Sequence, residues 1–109
     1  MSLRIHATAI EVISLLRPLM PRLRRVDLAL ARQISRSASS IALNIAEGEL
    51  SSGGHRQQRY QTAAGSASET RSALQVAQAW GYLSAADCKV VLGRLEHILA
   101  VLYKLTLPG

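Results

Sequence analysis

The sequence predicts an all-α protein, an antiparallel up-down-up-down four-helix bundle forming a single domain over residues 1–109. Three observations carry that expectation. Apolar residues recur at three- and four-residue intervals nearly throughout. No strand-like alternation lasts more than a few residues. Proline and glycine stop signals divide the chain into four segments with short connections, which pack most simply as antiparallel neighbours.

In the first segment Ile5, Ala9, Val12, Ile13 and Leu16 share one face, until Pro18 and Pro21 close it. An interior proline removes a backbone donor and clashes with the preceding turn, so residues 17 to 25 are expected to be a short basic connector. The second helix starts near Asp27 as N-cap, carries Leu30, Ile34, Ala38, Ile41 and Ile45 on one stripe, and is expected to stop at Gly48. Residues 49 to 54, rich in Ser and Gly, are expected to be a flexible linker. The third helix has Tyr60, Ala63, Ala67, Leu74 and Ala77 in phase and ends at Trp80 and Gly81. Ser84 and Asp87 resemble a capping box opening the fourth, which presents Val91, Leu92, Leu95, Leu99, Leu102 and Leu105. Val90 and Val101 add a second apolar face there, more than a small bundle buries alone, so self-association is expected.

Composition narrows the function. With 49% apolar residues but only four aromatics and no Phe, the interior must be aliphatic. No run approaches the roughly 20 apolar residues of a membrane span, and nothing at the start reads as a signal peptide. A single cysteine, Cys88, forms no internal disulfide and suits a reducing cytoplasm; on its apolar stripe it reads as a small core residue. No cofactor or metal is expected. Glu-x-x-His pairs are missing, because Leu3, Ser52 and Arg94 precede the three histidines by three residues. Gly48 and Gly53 have the spacing of a phosphate loop but follow a helix and lack its Lys. Trp80 and the three tyrosines are scattered, which suits core or helix-end packing better than base stacking.

The net charge is +6, and residues 17 to 36 hold six arginines against Asp27 alone. Clustered Arg at this charge fits a phosphate-binding surface, and it also fits a solvated face. The expected contacts are first Arg22, Arg24 and Arg25, exposed on the connector, then Arg17, Arg56 and Arg59. Arg32 and Arg36 are the ones that structure could consume. The leading function is therefore a non-enzymatic homo-oligomer that binds the RNA or DNA backbone, or a ribonucleoprotein partner; the alternative is a protein-binding scaffold.

A polar set marks the second and third helices. Arg36, Ser40 and Asn44 are four residues apart, followed by Glu47, and Ser66 and Glu69 lie on the opposing helix. In a hairpin centred near Ser51, Arg36 faces Ser66 within a turn of Glu69, which predicts an Arg36–Glu69 pair, and Gly65 with Ser66 permits close backbone approach. The set reads either as a structural network fixing register or as a ligand site; no nucleophile–base pair accompanies it, which favours the former.

The run from Arg36 through Asn44-Ile45-Ala46-Glu47-Gly48 resembles the signature helix of the 23S ribosomal-RNA intervening-sequence proteins, a bacterial four-helix-bundle family. Ala63, Gly65, Ser66 and Glu69 match the second block of the family, and Gly81-Tyr82-Leu83 its helix junction; the resemblance spans roughly residues 26 to 105. It implies a bundle assembled as a homopentamer. It also implies kinship with accessory proteins of diversity-generating retroelements, which bind nucleic acid and a reverse transcriptase. Arg56 and Arg59 depart from it, standing where members commonly carry aromatic or aliphatic residues.

Overall fold

The computed structural model describes residues 4–107, and all of its regular structure is helical. Helix α1 spans Arg4–Leu16, a single 3-10 turn Arg17–Leu19, α2 Met20–Val26, α3 Leu28–Leu50, α4 Gly53–Ala79 and α5 Ala85–Leu105. The 27 residues of α4, about 40 Å at 1.5 Å each, set the long dimension of a 43 × 20 × 20 Å body. Helix α1 packs on α3 and α5, α2 on α3, and α4 on α3 and α5. The buried residues of these helices form one continuous aliphatic cluster.

The connector expected at residues 17–25 is helical instead. Pro18 and Pro21 sit in the first turn of the 3-10 segment and of α2, where no intrahelical N–H partner is required. Right-handed helical dihedrals continue through Leu16, Leu19 and Met20, so residues 4–26 make one interrupted helix and the chain has four helical segments. The driving force is burial: Leu19, Met20 and Leu23 continue the stripe of α1 into the core.

Asp27 caps α3 as expected, its Oδ1 accepting the Leu30 N–H at 3.0 Å. Gly48 does not end α3, which continues to Leu50; the linker shrinks to Ser51 and Ser52. Positive φ instead occurs at Gly53 and at Gly81, the latter just past α4 as expected. At Gly48 the missing side chain serves packing: a Cβ there would overlap the Tyr60 ring, 2.6 Å from Cδ1. The capping box of α5 forms, with Ser84 Oγ accepting the Asp87 N–H at 3.0 Å and Asp87 Oδ2 the Ser84 N–H at 2.9 Å.

The five stripe residues of α3 and all five of α4 are buried. On α5 Val91, Leu95 and Leu102 are buried, whereas Leu92, Leu99 and Leu105 are partly covered against the core. Its second apolar face is reduced, because Val101 also packs against the core while Val90 stays 49% exposed. Cys88 is buried, and that burial, reinforced by Asp87, raises its thiol pKa.

Gly48→Ala should lower unfolding free energy by ~1–3 kcal/mol through overpacking against Tyr60, although alanine is the better helix former by ~1 kcal/mol. In a Tyr60→Leu background the same change should be neutral or stabilising. Urea denaturation of the four combinations checks this, and a single variant as stable as the parent would contradict the packing account.

Candidate functional site

Helices α3 and α4 meet along a seam of small and hydroxyl-bearing residues. Ser37 and Thr70, both buried, hydrogen-bond at 2.7 Å. Thr70 donates its one proton to Ser66 O at 2.8 Å, so Ser37 donates to Thr70, and the 3.3 Å contact of Ser37 with Ile34 O is the weaker alternative for the same proton. One turn along, the Ser40 and Ser66 hydroxyls are 2.8 Å apart, and Asn44 Nδ2 donates to Ser40 O at 2.9 Å and Ser40 Oγ at 3.0 Å. These pairs run with α3 rising as α4 falls, so the two helices are antiparallel. No buried side-chain nitrogen or oxygen among the described residues lacks a hydrogen-bond partner.

Of the six residues assigned to the polar network, Ser40, Asn44 and Ser66 belong to it. The Arg36–Glu69 pair does not form. Glu69 accepts from Gln33 Nε2 at 3.3 Å, and Arg36 is exposed with no ion pair among the described residues. Residues four apart drift by roughly 40° around a helix of 3.6 residues per turn, so two steps turn Arg36 away from the face that holds Asn44. Ser37 takes the inward place, and Ser40 rather than Arg36 meets Ser66. Glu47 is exposed and contributes only its backbone oxygen, which accepts from Ser51 Oγ at 2.8 Å. Gly65 is exposed with open space around it, so close approach at this helix pair does not depend on it.

The arginines separate into two groups. Arg22 Nη1 donates to Asp87 Oδ2 at 2.9 Å, tying α2 to the capping box of α5. The single Arg56 Nε–H is shared between Ser51 O at 2.9 Å and Gly48 O at 3.1 Å at the end of α3, where Gly48 O also accepts the Ser51 N–H at 3.2 Å. Both are fastened to the protein. Arg17, Arg24, Arg25 and Arg59 are exposed and make no ion pair among the described residues. The exposed Arg32 and Arg36 are also unpaired, contrary to the expectation that structure consumes them.

Arg17 and Arg24, seven residues apart on the interrupted first helix, line one wall of a cleft of about 370 Å³ against α3. Ser35 and Ser39 line the other wall, and Ile13, Leu16, Met20 and Ala38 contribute apolar surface. Arg32 and Arg36 share the exposed side of α3 with Ser35 and Ser39 by i, i+3 and i, i+4 spacing. At the α2–α3 junction the Asp27 carboxylate lies near Tyr82; desolvation, then this carboxylate, raises the tyrosine pKa. Tyr82 stacks with Trp80 at 6.3 Å between ring centroids and 18° between planes. The aromatics that look scattered in sequence therefore include one pair joined at a helix end. Among the described residues no group of three or more His, Cys, Asp or Glu side chains could hold a metal, and no helix is long and apolar enough to cross a membrane.

These features define a class: a small, aliphatic-cored helical protein with a self-contained polar seam and a guanidinium-lined cleft outside it. Within that class the chain belongs to the 23S rRNA-intervening sequence protein family, whose model matches residues 3–104. It is similar to the crystal structure of a protein of unknown function from the S23 ribosomal protein family of Bacteroides thetaiotaomicron VPI-5482. That likeness has a TM-score of 0.84 at 19% identity, covering 95% of this chain and 99% of the other. No curated protein is significantly similar in sequence.

Two predictions test the seam and the α2–α5 tie. Thr70→Val should cost ~1 kcal/mol, the net worth of a buried hydrogen bond, and adding Ser37→Ala should cost much less than its effect alone. Denaturation at matched protein concentration checks this, and full additivity would contradict a shared bond. Asp87 is held below the usual carboxylate range, first by the Ser84 backbone N–H and then by Arg22. Its contribution is therefore complete above about pH 4 and is lost as pH falls through the lowered value. Asp87→Asn should lower Tm at neutral pH and flatten the acid limb of Tm against pH; an unchanged acid limb would contradict the assignment.

Proposed function

We propose that this protein is a non-enzymatic, cytoplasmic, up-down-up-down four-helix bundle that assembles as a homopentamer and binds the phosphate backbone of RNA or DNA. The observation carrying this reading is the cleft with Arg17 and Arg24 on one wall, with Arg25, Arg32 and Arg36 close by in the chain and none of the five in an ion pair among the described residues. Guanidinium groups without a carboxylate partner keep their donors for phosphate oxygens, which they grip in bidentate fashion. Arg22 and Arg56 take no first part in binding, being committed to Asp87 and to the α3 carbonyls.

Self-association draws support from apolar side chains left in water, among them Leu43, Val90 and Tyr103. A pentamer repeats the +6 charge of one chain five times, and simultaneous contacts multiply into avidity. Binding should tolerate sequence and weaken steeply with salt as counterions are released.

Arg24→Glu/Arg25→Glu should weaken binding to single- and double-stranded DNA and RNA at least tenfold at low salt and reduce the slope of log affinity against log salt, while melting stays near the parent value. Arg22→Glu should instead lower Tm. Titrations at two salt concentrations check this. No binding by the parent protein even at low salt would overturn the nucleic-acid reading in favour of a scaffold that meets an acidic protein.

A further inference from the structure

The end of the molecule where α2 joins α3 carries more than charge. Asp27 closes α2 and caps α3, so the cleft between those helices ends there. Arg24 and Arg25 lie in the last turn of α2, immediately before it. On the other side, Tyr82 is partly packed on the core, and its ring supports that of Trp80. Trp80 itself is 68% exposed at the C-terminal end of α4. The arrangement is a large aromatic side chain largely in water, braced by a ring packed on the core. It lies at the same end of the molecule as two unpaired guanidinium groups, where Arg22 ties α2 to the first turn of α5.

A tryptophan in that position is costly to leave in water and is not needed for packing. Protein–protein anchors and nucleobase platforms both use such residues. The charge at that end decides between them: Arg24 and Arg25 disfavour a purely apolar partner and match a ligand that alternates flat rings with phosphates. A duplex hides its base faces in the stack, whereas a single strand offers them, and base–aromatic stacking tolerates any sequence. We infer that Trp80, braced by Tyr82, is a base-stacking platform for single-stranded nucleic acid whose phosphates lie on Arg24 and Arg25. This rests on the nucleic-acid reading above and adds to it a preference for unpaired strands and a residue that carries it.

Trp80 is the only tryptophan in the chain and therefore reports on its own site. Oligothymidylate, whose bases stack poorly on one another, should quench Trp80 emission on binding to the full-length protein at low salt, and duplex DNA of the same length should bind with little quenching. Trp80→Ala should weaken oligothymidylate binding on the order of tenfold and leave duplex binding unchanged, whereas Trp80→Phe, which keeps a ring, should restore most of it. If oligothymidylate binds without touching Trp80 emission, or Trp80→Ala binds it as the parent does, the platform is overturned while the phosphate-binding reading stands. If the parent binds neither strand form, both fall. If Trp80→Ala lowers the assembly's mass by light scattering with strand binding intact, the ring is an interface between copies and the inference is overturned.

Discussion

Everything else in this molecule depends on how closely α3 and α4 approach. Their seam is lined by Ala63, Ala67, Ser37, Ser40, Ser66 and Thr70, with Gly48 under the Tyr60 ring at one end. Small side chains let the backbones come together, and hydroxyls in such a space must bond each other or a turn carbonyl. The result is a ladder that specifies one register: a slip of one residue would separate Ser37 from Thr70 and Ser40 from Ser66 together. Larger aliphatic residues of α1, α2 and α5 then complete the core around this pair.

A seam satisfied by hydroxyls and one amide needs no charged residue. That is the physical reason the arginines remain outside. An Arg36–Glu69 pair would have placed a guanidinium at the helix interface, where desolvation offsets most of the Coulombic gain. Charge is used outside the seam instead: Arg22 meets the capping box, Arg56 the carbonyls of α3, and Arg94 Nε the Glu11 carboxylate at 3.0 Å between α5 and α1. Most arginines without an ion pair among the described residues lie along the first helix and the outer side of α3, with Arg59 apart from them on α4.

Much of this was legible in the chain. The stripes of α3 and α4, the Asp27 cap and the Ser84–Asp87 box follow from periodicity and capping chemistry and occur as expected. Prolines misled because they forbid a helix only in its interior; at the first turn, with Leu19, Met20 and Leu23 available to bury, they start one. Gly48 misled for a related reason, since a glycine inside a helix can serve a neighbour's ring as well as a stop. Of the site, the Ser40–Ser66–Asn44 part was readable from spacing, and Ser37 with Thr70 could have been found by following the same face one turn on. The tie of Arg22 was not readable, because its partner Asp87 is 65 residues away, whereas the partners of Arg56 lie within eight residues of it. Nor was the approach of Tyr82 to Asp27, which tertiary folding brings about, whereas Trp80 and Tyr82 stack across Gly81 only two residues apart.

The central claim is that a seam complete in itself leaves the arginines of the first helix free to hold phosphate. Hydrogen–deuterium exchange of the assembled protein, with and without a single-stranded oligonucleotide, tests it most directly. Slowed exchange confined to residues 17–28 and the turn around Trp80, with the α3–α4 seam unchanged, is the predicted pattern. Slowing spread along α4 and α5 with residues 17–28 unaffected would contradict it.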